Sequence, residues 1–266
     1  MKKVTVESIK EKKNKEKIIM LTAYDYISAK ILDETETDII LVGDSLAMVV
    51  LGYKNTNAVT LDEMLHHAKA VLRGTKRAFV VLDMPFGTYQ VSKEEALKSC
   101  IYAFKELSKE TQVHIGLKLE GGKEIFNLIK ELTNMGIPIM GHIGLQPQKF
   151  YALGSYKTFE DRNSLLEDAL ALEEAGVFAI VLEKVKEDIA KEITRKLKIP
   201  TIGIGAGRFV DGQVLVFHDV LGLFSEFKPK FVKRYFEGAK NFKKAIEQFI
   251  TEVKNGLFPE EKHIFK

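Results

Sequence analysis

A chain of 266 residues, 45 % of them hydrophobic and 29 % charged, can bury one core the size of an α/β barrel. Its 40 basic and 37 acidic residues leave a net charge of +3 spread along the chain, with no basic stripe of the kind that tracks nucleic acid. The Lys/Glu-rich opening has no apolar run of secretory length, and no later segment reaches the roughly 18 apolar residues of a membrane span, so a cytoplasmic protein is expected.

The first expected strand covers residues 17–25 and ends in polar residues; a helix over 26–32 follows, with Ile27 and Ile31 on one face. The run Ile39-Ile40-Leu41-Val42-Gly43-Asp44-Ser45 predicts a buried second strand that closes on a carboxylate. A turn-rich loop at 52–57 leads to a helix that starts at Thr60, completes a capping box with Glu63 and ends near Gly74. That helix carries His66 and His67, at least one of which should be solvated. The third strand, 78–83, closes on Asp83, and Ser92 with Glu95 caps a helix reaching about Ser108. Within it Cys100, the single cysteine, sits among Ala96, Ile101 and Phe104 and reads as core filling.

The fourth strand, 114–120, closes on Glu120 before a Gly121-Gly122 break and a helix over 123–134. A fifth is expected over 137–143 with Pro138 inside it, followed by a polar excursion at 146–163 and a helix ending at Gly176. The sixth and seventh strands fall at 178–183 and 201–204, and 214–216 is a candidate eighth. An amphipathic helix from about 231 to 253 and a charged tail complete the chain. Strands about thirty residues apart with helical patterns between most of them predict βα units, and eight of them favour a single closed (β/α)8 barrel spanning 1–266, with a charged N-terminal extension. An open doubly wound sheet is the runner-up, but the glycines of Gly203-Ile204-Gly205-Ala206-Gly207-Arg208 miss the third position of the dinucleotide fingerprint.

Active groups of such a barrel gather where strands end, so Asp44, Asp83, Glu120, His142 and Glu183 should ring one mouth. The period of two in the fourth strand puts His114, Gly116, Lys118 and Glu120 on one face, which points Lys118 inward beside Glu120. Two aspartates and a glutamate without cysteine partners form a hard oxygen site suited to Mg²⁺. Glu183 ends the apolar run 179–182, where its carboxyl should be held above the ordinary range, as a general base near neutral pH requires; an ion pair with Lys184 or Lys186 is the plainer reading.

The motifs Val42-Gly43-Asp44-Ser45-Leu46, Asp83-Met84-Pro85-Phe86, Lys118-Leu119-Glu120-Gly121-Gly122, Gly141-His142-Ile143-Gly144-Leu145-Gln146-Pro147-Gln148, Gly203-Ile204-Gly205-Ala206-Gly207 and Pro229-Lys230-Phe231 resemble, in order, those of the ketopantoate hydroxymethyltransferase family. The resemblance implies a TIM barrel of the phosphoenolpyruvate/pyruvate-like superfamily that moves a hydroxymethyl group from 5,10-methylenetetrahydrofolate to 3-methyl-2-oxobutanoate. The product is 2-dehydropantoate, in pantothenate biosynthesis, and the route passes through a Mg-stabilised enolate. It further implies that Asp44, Asp83 and Glu120 bind Mg²⁺, directly or through water. Asp44, Ser45, Asp83 and Lys118 would contact the 2-oxo acid with His142 nearby, Glu183 would accept the proton, and the protein would be a homo-oligomer, a decamer. Departures include Ala47 for a usual glycine, Asn57-Ala58 for a common Leu-Pro, and the segments at Phe150 and 157–160. The alternatives are a Mg-dependent 2-oxo acid lyase or mutase barrel, for which a cysteine in a loop after a strand is usual, and a barrel that binds a 2-oxo acid without turnover.

Overall fold

The computed structural model describes residues 2–110, 112–153, 159–224 and 228–265, so Lys157 and Thr158 of the departing 157–160 segment lie outside the described residues. The chain comprises two compact units, Met1–Val216 and Phe217–Lys266. In the first, β1 (Ile18–Thr22), β2 (Ile39–Val42), β3 (Phe79–Asp83), β4 (Ile115–Glu120), β5 (Ile139–Gly144), β6 (Ala179–Glu183), β7 (Thr201–Ile204) and β8 (Gly212–Leu215) form a closed barrel in chain order. Every pairing is parallel, and β8 closes on β1 with Met20 opposite Val214. Strands β2 to β5 are buried at every residue, as expected where helices cover one face and a filled barrel the other.

The interior is packed with alternate residues of the strands: Met20, Ile39, Leu41, Phe79, Val81, Met140, Val181, Ile202 and Val214. Phe79 and Phe178 meet with ring centroids 5.3 Å apart at the end where strands begin. Gly116 gives them room, since a Cβ there would stand 3.1 Å from Phe79. Aromatic bulk therefore fills the lower barrel and leaves the upper layer to polar groups.

The opening residues are more than a charged extension. Thr5 and Ser8 form a capping box for the helix Val6–Glu11, and Val4 and Ile9 join the barrel's apolar cluster, Ile9 with no exposed surface. Lys13 then reaches Asp211 at 2.7 Å and Lys12 reaches Asp38 at 2.7 Å, which locks this plug under the barrel. A helix of six residues carries too little periodicity to stand out in a lysine-rich stretch.

Pro138 precedes β5 rather than lying inside it: without an N–H it cannot donate to the ladder, but its carbonyl accepts from Leu117 N–H at 2.9 Å. A helix at Glu187–Lys196, not anticipated, joins β6 to β7, and β8 starts two residues before the expected segment. The last long helix of the second unit is Gly238–Lys254, seven residues later than expected, because residues 230–237 run as turns and irregular backbone. Thr60 and Glu63 form the expected capping box, and His66 is exposed while His67 Nδ1 lies 2.6 Å from the Tyr24 carbonyl. No helix among the described residues is long and apolar enough to cross a membrane.

Two outcomes follow from this packing. Ile9→Ala should lower unfolding free energy by about 2–4 kcal/mol with an unchanged denaturant slope, measured by urea titration. Burial pushes the Cys100 thiol up to about 12; at pH 9 only about one thiol in a thousand is ionised, so alkylation should be undetectable in native protein and rapid once it is unfolded in urea.

Candidate active site

Strand register assembles the site. Asp83 is the direct neighbour of Lys118 across β3 and β4, and Glu120 that of His142 across β4 and β5. Because parallel neighbours point the same way, the inward pairs meet. Lys118 Nζ lies 2.7 Å from Asp83 Oδ1, and His142 Nδ1 lies 3.4 Å from Glu120 Oε1 and 3.2 Å from Lys118 Nζ. His142 Nε2 faces Glu183 Oε2 at 3.3 Å, so one imidazole stands between two carboxylates. Asp83, Lys118, Glu120 and His142 are all buried, and Glu183, at the end of β6, retains 16 % exposure of its side chain.

Asp44 stands two residues beyond β2, in the turn before the short helix Leu46–Val49. Its N–H donates to Asp83 Oδ2 at 3.0 Å. Gly43 permits this turn, since a Cβ there would come 2.8 Å from Ser45 Oγ and 3.4 Å from Asp83 Oδ2. Ser45 Oγ pairs with Tyr24 OH at 2.8 Å, so the residue is held against the segment that follows β1. Gly144 has φ +94° and would place a Cβ 2.3 Å from the Glu183 carbonyl; as glycine it lets Leu145 N–H donate to that carbonyl at 2.8 Å and turns the chain over the mouth.

The charges are unequal in their comfort. Burial first, then the charges of Asp83 and Glu120, pushes the Asp44 carboxyl well above the usual range. Burial also raises Asp83, although Lys118 opposes it. For Glu120 burial is outweighed by His142, Lys118 and the Gln148 N–H, which hold it below the usual range. Burial and Lys118 disfavour a charged His142, yet Glu120 and Glu183 outweigh them and push it up to about 9. Burial likewise opposes the Lys118 ammonium, but Asp83, Glu120 and Asp44 outweigh it and raise its pKa.

Every residue expected at the mouth, Asp44, Ser45, Asp83, Lys118, Glu120, His142 and Glu183, lies at this end of the barrel. Sequence reasoning missed Gln148, Tyr89 and Tyr24. Gln148 belongs to the excursion expected to be a polar loop, yet it is buried: the 3-10 turn Pro147–Lys149 carries it back into the site. Its place in a glycine- and proline-rich motif was the only signal. Tyr89 OH receives the Glu120 N–H at 3.1 Å.

Among the described residues no three His, Cys, Asp or Glu side chains already stand as a metal-binding group. What the site offers is a close pair, Asp44 and Asp83, both with carboxyls raised by burial, with Asp83 Oδ1 facing the Lys118 ammonium at 2.7 Å. Both oxygens of Glu120 are engaged, one by His142 and one by the Gln148 N–H. Mg²⁺ is commonly held by one or two carboxylates and keeps several waters, so the donor set fits it.

Fold and site together define a closed (β/α)8 barrel with an acid-lined mouth. Among solved structures, its fold is similar to that of 2,3-dimethylmalate lyase, described as a PEP mutase/isocitrate lyase superfamily member, with a TM-score of 0.57 at 12 % identity, over 98 % of this chain and 92 % of that one. The family model described as ketopantoate hydroxymethyltransferase matches residues 3–261, and the chain belongs to that family. It is 53 % identical to the 3-methyl-2-oxobutanoate hydroxymethyltransferase of Ignicoccus hospitalis, over 98 % of both chains. It is also 53 % identical to the enzyme of that name from Carboxydothermus hydrogenoformans, over 100 % of this chain and 96 % of that one.

Lys118→Met would leave three buried carboxylates without their central cation. It should lower stability by about 3–5 kcal/mol at pH 7.5 in metal-free protein. Its folded state would bind more protons than the unfolded chain, so the gap from wild type should narrow as pH falls towards 5.5, read from urea midpoints at both values.

Proposed function

We propose that this chain transfers a hydroxymethyl group from 5,10-methylenetetrahydrofolate to 3-methyl-2-oxobutanoate, giving 2-dehydropantoate in pantothenate biosynthesis. The observation that carries the reading is the full-length family match, joined to a base, a buried cation and a carboxylate pair at one mouth. Asp44 and Asp83 would hold Mg²⁺, with Glu120 acting through its water. When bound, the ion would polarise the keto oxygen and favour loss of the C3 proton.

Glu183 is positioned as the base that takes this proton, a role worth about 10²–10⁴-fold in rate. His142 stands behind its carboxylate and fixes its direction. Lys118 offers the substrate carboxylate a buried ammonium, and Ser45 a hydroxyl already oriented by Tyr24. The carbon nucleophile then bonds to the one-carbon unit of the folate, both C–N bonds of that carbon break, water supplies the hydroxyl oxygen, and the C3 proton and one proton of the water end on the two nitrogens of the departing tetrahydrofolate. Burial keeps the Asp83, Lys118 and Glu120 charges unscreened, which strengthens their hold on the reacting atoms. The lyase or mutase alternative has no cysteine at the mouth to use, since Cys100 is buried within the helix Lys93–Ser108. A cytoplasmic homo-oligomer, a decamer, is proposed on the same family resemblance.

Deuterium exchange at C3 of 3-methyl-2-oxobutanoate, followed by NMR, tests this. Wild type should exchange with Mg²⁺ and without folate, and Glu183→Gln should slow the exchange about 10²–10⁴-fold. Failure of the wild type to exchange with both Mg²⁺ and folate present would overturn the proposal.

A further inference from the structure

We infer that Gln148 is a positioning residue: its side-chain amide sets the direction of the Asp44 carboxylate at the cation-binding end of the site. The inference rests on the proposed function only in taking Asp44 and Asp83 as the residues that hold the ion.

The amide has one permitted orientation. Its Nε2 lies 3.0 Å from the Met84 carbonyl, which can only accept, so that end must carry the hydrogens. The opposite end, Oε1, receives the Tyr89 hydroxyl at 2.7 Å and the Gln90 amide at 3.0 Å. With one Nε2 hydrogen spent on Met84, the other is directed at Asp44 Oδ2, 3.1 Å away. One oxygen of Asp44 is thereby tied down, and the direction of the other is fixed with it.

The backbone of the same residue is anchored independently. Its N–H donates to Glu120 Oε2 at 3.2 Å, and its carbonyl accepts from Asn57 Nδ2 at 2.7 Å. Gln148 thus joins loops following β2, β3 and β5 to the end of β4. A purely structural bridge has no need to end on the acid whose charge is least compensated. An amide suits that place because it donates without bringing charge: a lysine would neutralise Asp44 and compete with a metal ion, and a carboxylate would repel it. The neutral donor keeps Asp44 oriented and leaves its charge for a cation. Groups behind metal ligands commonly act in this way.

Isothermal calorimetry with Mn²⁺ alone is the test, on the full chain without substrate. Gln148→Met, nearly isosteric and unable to donate, should weaken Mn²⁺ about 10–100-fold. Tyr89→Phe, which frees the amide's far end, should weaken it by about threefold alone and by nothing further on the Gln148→Met background, as expected of residues acting through one contact. Should Gln148→Met fail to fold, the Tyr89→Phe affinity decides, and a value equal to wild type overturns the inference. A Gln148→Met affinity within about twofold of wild type, or a Tyr89→Phe loss undiminished on that background, overturns it as well. Mn²⁺ binding with the expected losses in a protein that exchanges no C3 proton would instead sink the proposed function and leave this inference standing.

Discussion

The upper half of this barrel depends on an ammonium enclosed by acids. Lys118 lies 2.7 Å from Asp83 in a place almost without solvent, and the charge of Asp44, Asp83 and Glu120 would be untenable there without it. Desolvating an ion costs several kcal/mol, and a buried pair recovers it only when geometry is good and remaining lone pairs are used. Here the geometry follows from strand register. Asp83 and Lys118 are partners across β3 and β4, so pairing the backbone correctly also pairs the charges.

The compensation is incomplete at two of the acids. Glu120 is comfortable, held by His142 and the Gln148 N–H, while Asp44 and Asp83 remain disfavoured as anions. A site that has an unmet demand for positive charge is ready for a cation without a rigid cage. His142 stands between Glu120 and Glu183, within 3.4 Å of both, so its ring spans from the buried carboxylate cluster to an acid of the mouth that keeps partial solvent access. The proposed base and the proposed ion site are therefore neighbours through a single ring.

The barrel and most of its mouth were legible because both depend on short-range patterns. Apolar runs ending in Asp83 and Glu120 declare strand and carboxylate together, and alternation in β4 places Lys118 inward beside Glu120 without reference to any other strand. Gln148 was not legible, because its burial arises from a turn that folds back after Gly144 takes a positive φ, a tertiary event in a polar stretch. The N-terminal plug escaped notice for a related reason: its one fully buried side chain, Ile9, is surrounded in sequence by lysine and glutamate, and only the barrel floor makes it apolar company. Glu183 falls at a strand end as expected, but the partners weighed for it were Lys184 and Lys186, its neighbours in sequence, whereas the His142 ring reaches it from β5.

The latch beneath the barrel has a consequence for how the protein comes into being. Lys13 and Asp211 are 198 residues apart in sequence, and β1 pairs with β8 across almost the same separation. The plug must therefore wait for nearly all of the barrel to be made before its partners exist. Closure entropy of so long a loop is met only at the end, so assembly is governed by non-local contacts, and the waiting chain carries Ile9 and the edge of β1 uncovered. The interval between synthesis of the plug and synthesis of its socket is the period in which this chain is most exposed to aggregation.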